Sequence, residues 1–431
     1  MIRVLTILGT RPEAIKLAPV LHELRRDSDT FESTVVATGQ HREMLDPMLE
    51  LFGIQPDFDL SLMTHQQSLG DITLAVLSGM LPILAEQRPD WVLVQGDTTS
   101  VMAACIAAFY GKTRIGHVEA GLRTFDKYSP FPEEINRRIA GVLADMHFAP
   151  TPWARANLLR EGVPSEHVHL TGNTVIDAMK HVGQLDFDIG ETELRGLPQD
   201  KRLVLVTAHR NENLGSRMEE IATGLRELAL TREDVHFLYP MHLNPRARRA
   251  PLRHLSDLEN VSLIDPLGYR EMVWVLHNAH LVITDSGGLQ EEAAAAGTPV
   301  LVLRETTERP EGIDSGIAKL VDPSHRSLVD AAGLLLSDDR EYERMRAAPC
   351  PYGDGRAAIR IADALADRPV SLDSVDHIYE RPSPEHPLDA LLREATAGLP
   401  RRYADQVLSR ALSKAWEMPE SRDAPRVRTY G

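Results

Sequence analysis

The stretch LVITDSGGLQEEAAAAGTPVL, residues 281–301, decides the architecture. An apolar run from Leu281 to Ile283 ends in Asp285-Ser286-Gly287-Gly288 and opens into an alanine-rich helix; PVL then starts another apolar run. Strand, glycine turn, helix and strand make one unit of a parallel sheet. Ser286, Gly287 and Gly288 leave bare backbone N–H groups at a helix N-terminus, the natural seat of a phosphate. Glu291 and Glu292 follow in the first turns, where acids gain about 0.3–1 kcal/mol from the helix dipole, so they do not contradict the helix. A carboxylate one turn beyond a phosphate site also accepts hydrogen bonds from vicinal hydroxyls. A nucleotide meets both demands, with phosphate on the amides and ribose on the acid.

The same alternation runs through most of the chain. RVLTILG, a helix from Pro12 to about Arg26, STVVATG, WVLVQGD, the helix TSVMAACIAAFYG, RIGHVEAG and HFAPT form one series. After a polar stretch near residues 185–201 a second series runs through RLVLVTAH, HFLYPMH, VSLIDP, LVITDSGG and PVLVLRE. Two such series predict an α/β protein of two Rossmann-like domains facing across a cleft. From about residue 370 the chain changes character. SVDHIYERPSPEHPLD reads as a linker, and RRYADQVLSRALSKAWE sets Tyr403, Val407, Leu408, Ala411, Leu412 and Trp416 on one face of a helix that packs on the body or on a partner subunit.

The totals narrow the function. A length of 431 residues fits two to three domains, and a net charge of −16 argues against a general nucleic-acid or anionic-membrane surface. Cys105 and Cys350 read as reduced structural thiols, with no cysteine metal motif. RVLTIL at the start predicts no signal peptide, and no apolar run is expected to reach the roughly 18 residues that span a bilayer. Together these predict a cytoplasmic protein without a membrane or nucleic-acid partner.

Ligands of open α/β sheets bind beyond the carboxyl ends of the strands, so the residues after each strand are the candidates. In GTRPEAIKLAP, a T-x-x-E capping box accounts for Thr10 and Glu13, leaving Arg11 and Lys16 as cations for an anion. Asp97 in QGDTT either caps the next helix or does chemistry; Glu119 in HVEAG has no such structural role. Glu133 starts a helix after Pro130 and Pro132. Three acids on one rim suggest general acid/base work with pKa values separated by environment. His209 and Arg210 follow one strand of the second series, His242 another, and Arg304 and Arg309 a third, the two arginines as diphosphate cations. The histidines lack metal-ligand spacing, which leaves little support for a metal.

GTRPEAIKLAP, TGQHREML, QGDTT, GHVEAGLRT, YSPFPEEINRR, TGNTVIDA, TAHRNEN, YPMHLNP, TDSGGLQEEA, RETTERPE and PYGDG together resemble the non-hydrolysing UDP-N-acetylglucosamine 2-epimerases of bacteria, over roughly residues 1–368. The resemblance implies a GT-B fold: an N-terminal domain at 1–175 with the acid/base residues, a UDP-binding domain at 176–355, a helix at 356–369 returning to the first domain, and an extension at 370–431. It implies reversible C2 epimerisation of UDP-N-acetylglucosamine to UDP-N-acetylmannosamine, by elimination and re-addition of UDP through 2-acetamidoglucal, with no cofactor (neither NAD nor a required metal), by a homodimer. Asp97, Glu119, Glu133 and His209 would be catalytic. Arg11, Lys16, Met272, Ser286, Gly287, Gly288, Glu292 and Arg309 would hold the substrate. Gln40, Glu134, Arg210 and His242 match a neighbouring second site through which some members are activated. Glu43 and Gln66 depart from that pattern, as Leu267 and Met272 do near the uracil. Three alternatives stay open at this point: a modified UDP-sugar as substrate, a hydrolysing epimerase, and a UDP-sugar sensor without turnover.

Overall fold

A computed structural model of the chain describes residues 1–39, 42–62 and 67–370. Its strands are β1 (Ile2–Leu8), β2 (Phe31–Ala37), β3 (Phe58–Asp59), β4 (Trp91–Gln95), β5 (Arg114–Val118), β6 (Met146–Ala149) and β7 (Val168–Leu170), then β8 (Arg202–Thr207), β9 (Val235–Pro240), β10 (Val261–Ile264), β11 (Leu281–Thr284), β12 (Val300–Leu303) and β13 (Ala318–Val321). Most read as apolar runs rather than alternating patterns, because helices cover both faces of a parallel sheet. All five residues of β4 and all four of β11 are buried.

The first seven strands make one parallel sheet in the order β3-β2-β1-β4-β5-β6-β7, and the other six make a second in the order β10-β9-β8-β11-β12-β13. In each, the chain starts mid-sheet, builds outward to one edge, then returns to build the other half. The switch points lie between β1 and β4 and between β8 and β11, and a crevice opens beyond their carboxyl ends. Thr10, Asp97, His209 and Ser286 stand there.

The helix Thr174–Gly183, directly after β7, ties the two halves together. It buries Val175, Ile176, Met179 and Val182 in a core shared with Leu17 and Leu21 of the helix Arg11–Arg26 and with Tyr269, Val273 and Leu276 of the helix Tyr269–Asn278. Each such aliphatic side chain stabilises the packing by about 1.5–3 kcal/mol. The Asp177 carboxylate accepts hydrogen bonds from Ala357 N (3.2 Å) and Ala358 N (2.9 Å), which seats the helix Ala357–Leu365 against Arg11–Arg26.

The helix Leu69–Gln87 departs from the sequence reading. With 19 residues and a mean hydropathy of 1.5 it is long and apolar enough to cross a membrane, where no such run is expected from sequence. Val76, Met80, Ile83 and Leu84 face the core beside the helix Thr99–Tyr110, and Leu74 and Leu81 stay exposed. Cys105 and Cys350 are free, and burial pushes their thiols up to about 12 and about 11. The linker and amphipathic helix expected beyond residue 370 lie outside the described residues.

Candidate active site

Glu13 is a structural residue. Its Oε2 accepts Gly9 N (2.6 Å) and Thr10 N (3.2 Å), and its Oε1 accepts the Thr98 hydroxyl at 2.9 Å, so one buried acid ties the β1 turn to the start of the helix after β4. Burial pushes its carboxyl up to about 7. The capping box frees Lys16, one turn on, to reach into the crevice, where its ammonium meets Glu119 Oε1. Burial alone lowers the pKa of Lys16, but Glu119 and Glu291 more than offset it, and the net shift is upward.

Glu119 sits at the end of β5 with φ 62°, a left-handed conformation that costs a non-glycine residue about 1–3 kcal/mol. Gln95 at the end of β4 donates to its Oε2, and Asn173 Nδ2 donates to Oε1 at 3.1 Å. Burial pushes its pKa upward, but the charges of Lys16 and Arg309 prevail and hold the carboxyl below the usual range. Asp97, after β4, receives Arg137 Nη2 at 2.5 Å; burial nonetheless raises its pKa, with the charges of Glu119 and Glu133 adding to the effect. Glu133 begins the helix Glu133–Leu143, and its Oε2 is buried without a hydrogen-bond partner among the described residues.

The second domain brings Asp285, His209, the helix Gly287–Ala295 and Arg309 to the ends of its strands. Asp285 is fully buried, and its Oδ2 accepts His209 N and Arg210 N at 2.8 Å each and Asn213 Nδ2 at 3.0 Å. His209 Nδ1 lies 3.4 Å from Oδ1 of the same acid, and its ring stacks on His242 with centroids 5.0 Å apart and planes 7° apart. Burial lowers the His209 pKa against the pull of Asp285. Ser286 is the N-cap of the helix Gly287–Ala295 and makes no side-chain cap bond, so its hydroxyl is not spent on the helix. Gly287 is there for close approach: a Cβ would lie 2.5 Å from Arg309 Nη1 and 2.7 Å from Glu308 Oε1. Arg309 thus rests against the helix N-terminus, held by Glu291 Oε1 (2.6 Å from Nε) and Glu308 Oε1 (2.5 Å from Nη1). Burial pushes Glu292 up to about 7, with Arg11 opposing. The domains also meet where the Thr151 hydroxyl donates to Glu311 Oε1 at 2.5 Å.

The other candidates have the following surroundings. Glu134 is fully buried and accepts Thr124 N (3.0 Å) and Phe125 N (3.1 Å), so its oxygens anchor a loop. Arg304 is spent on Glu212 and Glu308. Met272 is partly buried against the core, and Leu267 is a core residue. Gln40 and Gln66, and the side chain of Glu43, lie outside the described residues. Among the described residues no group of three His, Cys, Asp or Glu side chains is arranged to hold a metal ion. Sequence reasoning passed over Gln95, Arg137 and Asn173, and assigned no role to Asp285. Gln95, Arg137 and Asn173 lie inside the quoted motifs QGDTT, EEINRR and TGNTVIDA, which was the available signal.

Two doubly wound domains, with carboxylates on one rim and a cation-flanked helix N-terminus on the other, define a GT-B-type enzyme of nucleotide sugars. The sequence model of the UDP-N-acetylglucosamine 2-epimerase family matches residues 22–366, and the chain belongs to that family. It is 49% identical over 376 residues to the UDP-N-acetylglucosamine 2-epimerase of Escherichia coli K12, covering 86% of this chain and 100% of that one. The UDP-GlcNAc 2-epimerase of Neisseria meningitidis, solved bound to UDP-GlcNAc, superposes with a TM-score of 0.78 at 43% identity, covering 85% of this chain and 100% of that one. The Methanocaldococcus jannaschii enzyme, in complex with UDP-GlcNAc and UDP, superposes with a TM-score of 0.70 at 32% identity over the same shares.

Proposed function

We propose that this protein interconverts UDP-N-acetylglucosamine and UDP-N-acetylmannosamine by eliminating and re-adding UDP. The C2 hydrogen of the sugar is not next to a carbonyl, so simple deprotonation is prohibitive. When the C1–O bond to the diphosphate breaks as the C2 proton leaves, the electron pair of the C2–H bond forms a C1=C2 double bond, giving 2-acetamidoglucal and UDP. The reverse step adds UDP to C1 while a proton arrives on the opposite face of C2. Such chemistry needs donors where negative charge grows on the diphosphate, and an acid/base group on each face of the ring.

The observation that carries this reading is the neighbouring carboxylates Asp97 and Glu119 beside buried cations from both domains. We assign Arg11, Lys16, Arg309, His209 and the amides of Gly287 and Gly288 to the diphosphate, and Glu292 to the ribose. In the first domain Asp97 and Glu119 have pKa values displaced in opposite directions. We assign these two as the acid/base pair, with Glu133 supporting Asp97. The test is proton NMR with UDP-N-acetylglucosamine in D₂O: deuterium at C2 of both epimers is expected, and UDP binding without C2 exchange would overturn the assignment.

We also propose a cytoplasmic homodimer. The resemblance supports a dimer, and Leu74 (65% exposed) and Leu81 (41%), on one helix, leave apolar surface that a partner would cover. Two free thiols fit a reducing compartment. Light scattering of the protein and of Leu74→Glu tests the dimer: a wild-type monomer removes it.

A further inference from the structure

Asn173 is 2% exposed and caps the helix Thr174–Gly183 that joins the two domains. Its Oδ1 accepts Val175 N at 3.1 Å, and its own backbone N–H donates to Tyr352 O at 2.7 Å. An amide has one carbonyl oxygen, and the cap uses it, so the NH₂ must face the other way. It faces two carboxylates from different domains, donating to Glu119 Oε1 at 3.1 Å and to Glu291 Oε2 at 3.0 Å. Each carboxylate carries its own cation, Lys16 on Glu119 and Arg309 on Glu291. The neutral amide therefore sits at the centre of a buried row with a cation at each end and an acid on either side of it, where the two acids would otherwise repel across a desolvated gap.

We propose that Asn173 is the positioning residue that registers Glu119 of the first domain against the Glu291–Arg309 arm of the second, so that the base and the diphosphate cation reach the sugar nucleotide together. The inference rests on the epimerase reading of the site. Asn173 acts through Glu119 and Glu291 and need not touch the substrate. Glu119 is faced by Lys16 from the first helix, Gln95 from β4, Asp97 after it, His117 on its own strand, and Glu291 and Arg309 from the second domain. Only Asn173 bonds both it and Glu291 among the described residues.

The test compares Asn173→Asp and Asn173→Ser with wild type. Both replacements keep an N-cap oxygen, so the helix start is preserved. Asn173→Asp turns an acceptor toward two carboxylates; Asn173→Ser withdraws the bridge and adds no charge. With UDP-N-acetylglucosamine as substrate, kcat is expected to fall by about tenfold in the Ser variant and by about a hundredfold in the Asp variant, the scale of a misplaced catalytic group. UDP affinity is expected to hold within about threefold, and the acid limb of the kcat–pH profile to move upward in the Asp variant, where the new charge disfavours ionised Glu119. Unchanged kcat and acid limb in both variants would overturn the proposal, as would loss of UDP affinity at unchanged kcat. Wild-type protein that binds UDP without C2 exchange would instead overturn the epimerase reading, and the proposal with it.

Discussion

Asp97 and Glu119 leave the carboxyl ends of the adjacent strands β4 and β5, and their surroundings push their pKa values apart, upward for Asp97 and downward for Glu119. Neighbouring carboxylates with opposed shifts are the signature of a donor and an acceptor of protons at one pH. Burial dominates at Asp97; at Glu119 the charges of Lys16 and Arg309 outweigh it.

Replacing Glu119 with Gln removes the proposed base and keeps the shape. UDP affinity should stay within a few-fold, while turnover should fall by about 10²–10⁴-fold. Deuterium incorporation at C2, measured beside UDP titration calorimetry, checks it; a wild-type exchange rate takes Glu119 out of the chemistry.

Lys16→Met tests the anion side. Loss of one charge-assisted hydrogen bond to the diphosphate should weaken UDP binding by about 1.5–3 kcal/mol, roughly tenfold to a hundredfold. Since Glu119 loses its counter-ion in the same variant, the acid limb of the kcat–pH profile should also rise. Unchanged affinity for UDP would place Lys16 outside the diphosphate site.

The paired strands β5 and β6 bury His117 and His147 side by side. Burial holds them at about 4 and about 3, against an ordinary 6.5. Below pH 6.5 the unfolded chain therefore takes up protons that the fold refuses. Their contribution is complete above that pH and is lost as pH falls toward 4 and 3. Glu13 and Glu292, raised to about 7, pull the other way between 7 and 4.5 by holding protons the unfolded chain releases. The readout is thus a difference: between pH 7 and pH 5, urea denaturation of His117→Gln should show a less unfavourable change in stability than wild type. Equal changes would mean the imidazole does not titrate as its burial requires.

Gly121 has φ 93°, and a Cβ there would lie 2.1 Å from Ala154 O. Gly121→Ala combines backbone strain with a clash against main chain, so a loss exceeding about 1 kcal/mol is expected. Thermal unfolding checks this directly, and a melting temperature equal to wild type would contradict it.

Most of the site was legible because apolar runs mark the strands and the chemistry follows their ends. Asp97, Glu119, His209 and Ser286 all stand one or two residues beyond a strand. What escaped was pairing across the chain. Asn173 meets Glu291 over 118 residues and Glu119 over 54, and nothing local announces either contact. Glu291 read as an ordinary helix acid, yet it holds Arg309. Glu134, matched to a second-site surface, has its oxygens turned inward to a loop, since a buried acid is drawn to the nearest free backbone N–H groups. The helix Leu69–Gln87 was passed over because its polar and small residues break the apolar run, although its mean hydropathy is high.

Under the proposed function, the row running from Lys16 through Glu119, Asn173 and Glu291 to Arg309 makes the site an ion exchanger. Its two cations arrive already balanced by carboxylates of the same protein, so an incoming diphosphate displaces resident anions instead of meeting bare charge. Admission then depends on offering enough negative oxygens at the right spacing to replace both partners at once. A lone inorganic phosphate offers less than that exchange demands, and the carboxylate it would have to dislodge, Glu119, is the one proposed to act on the sugar.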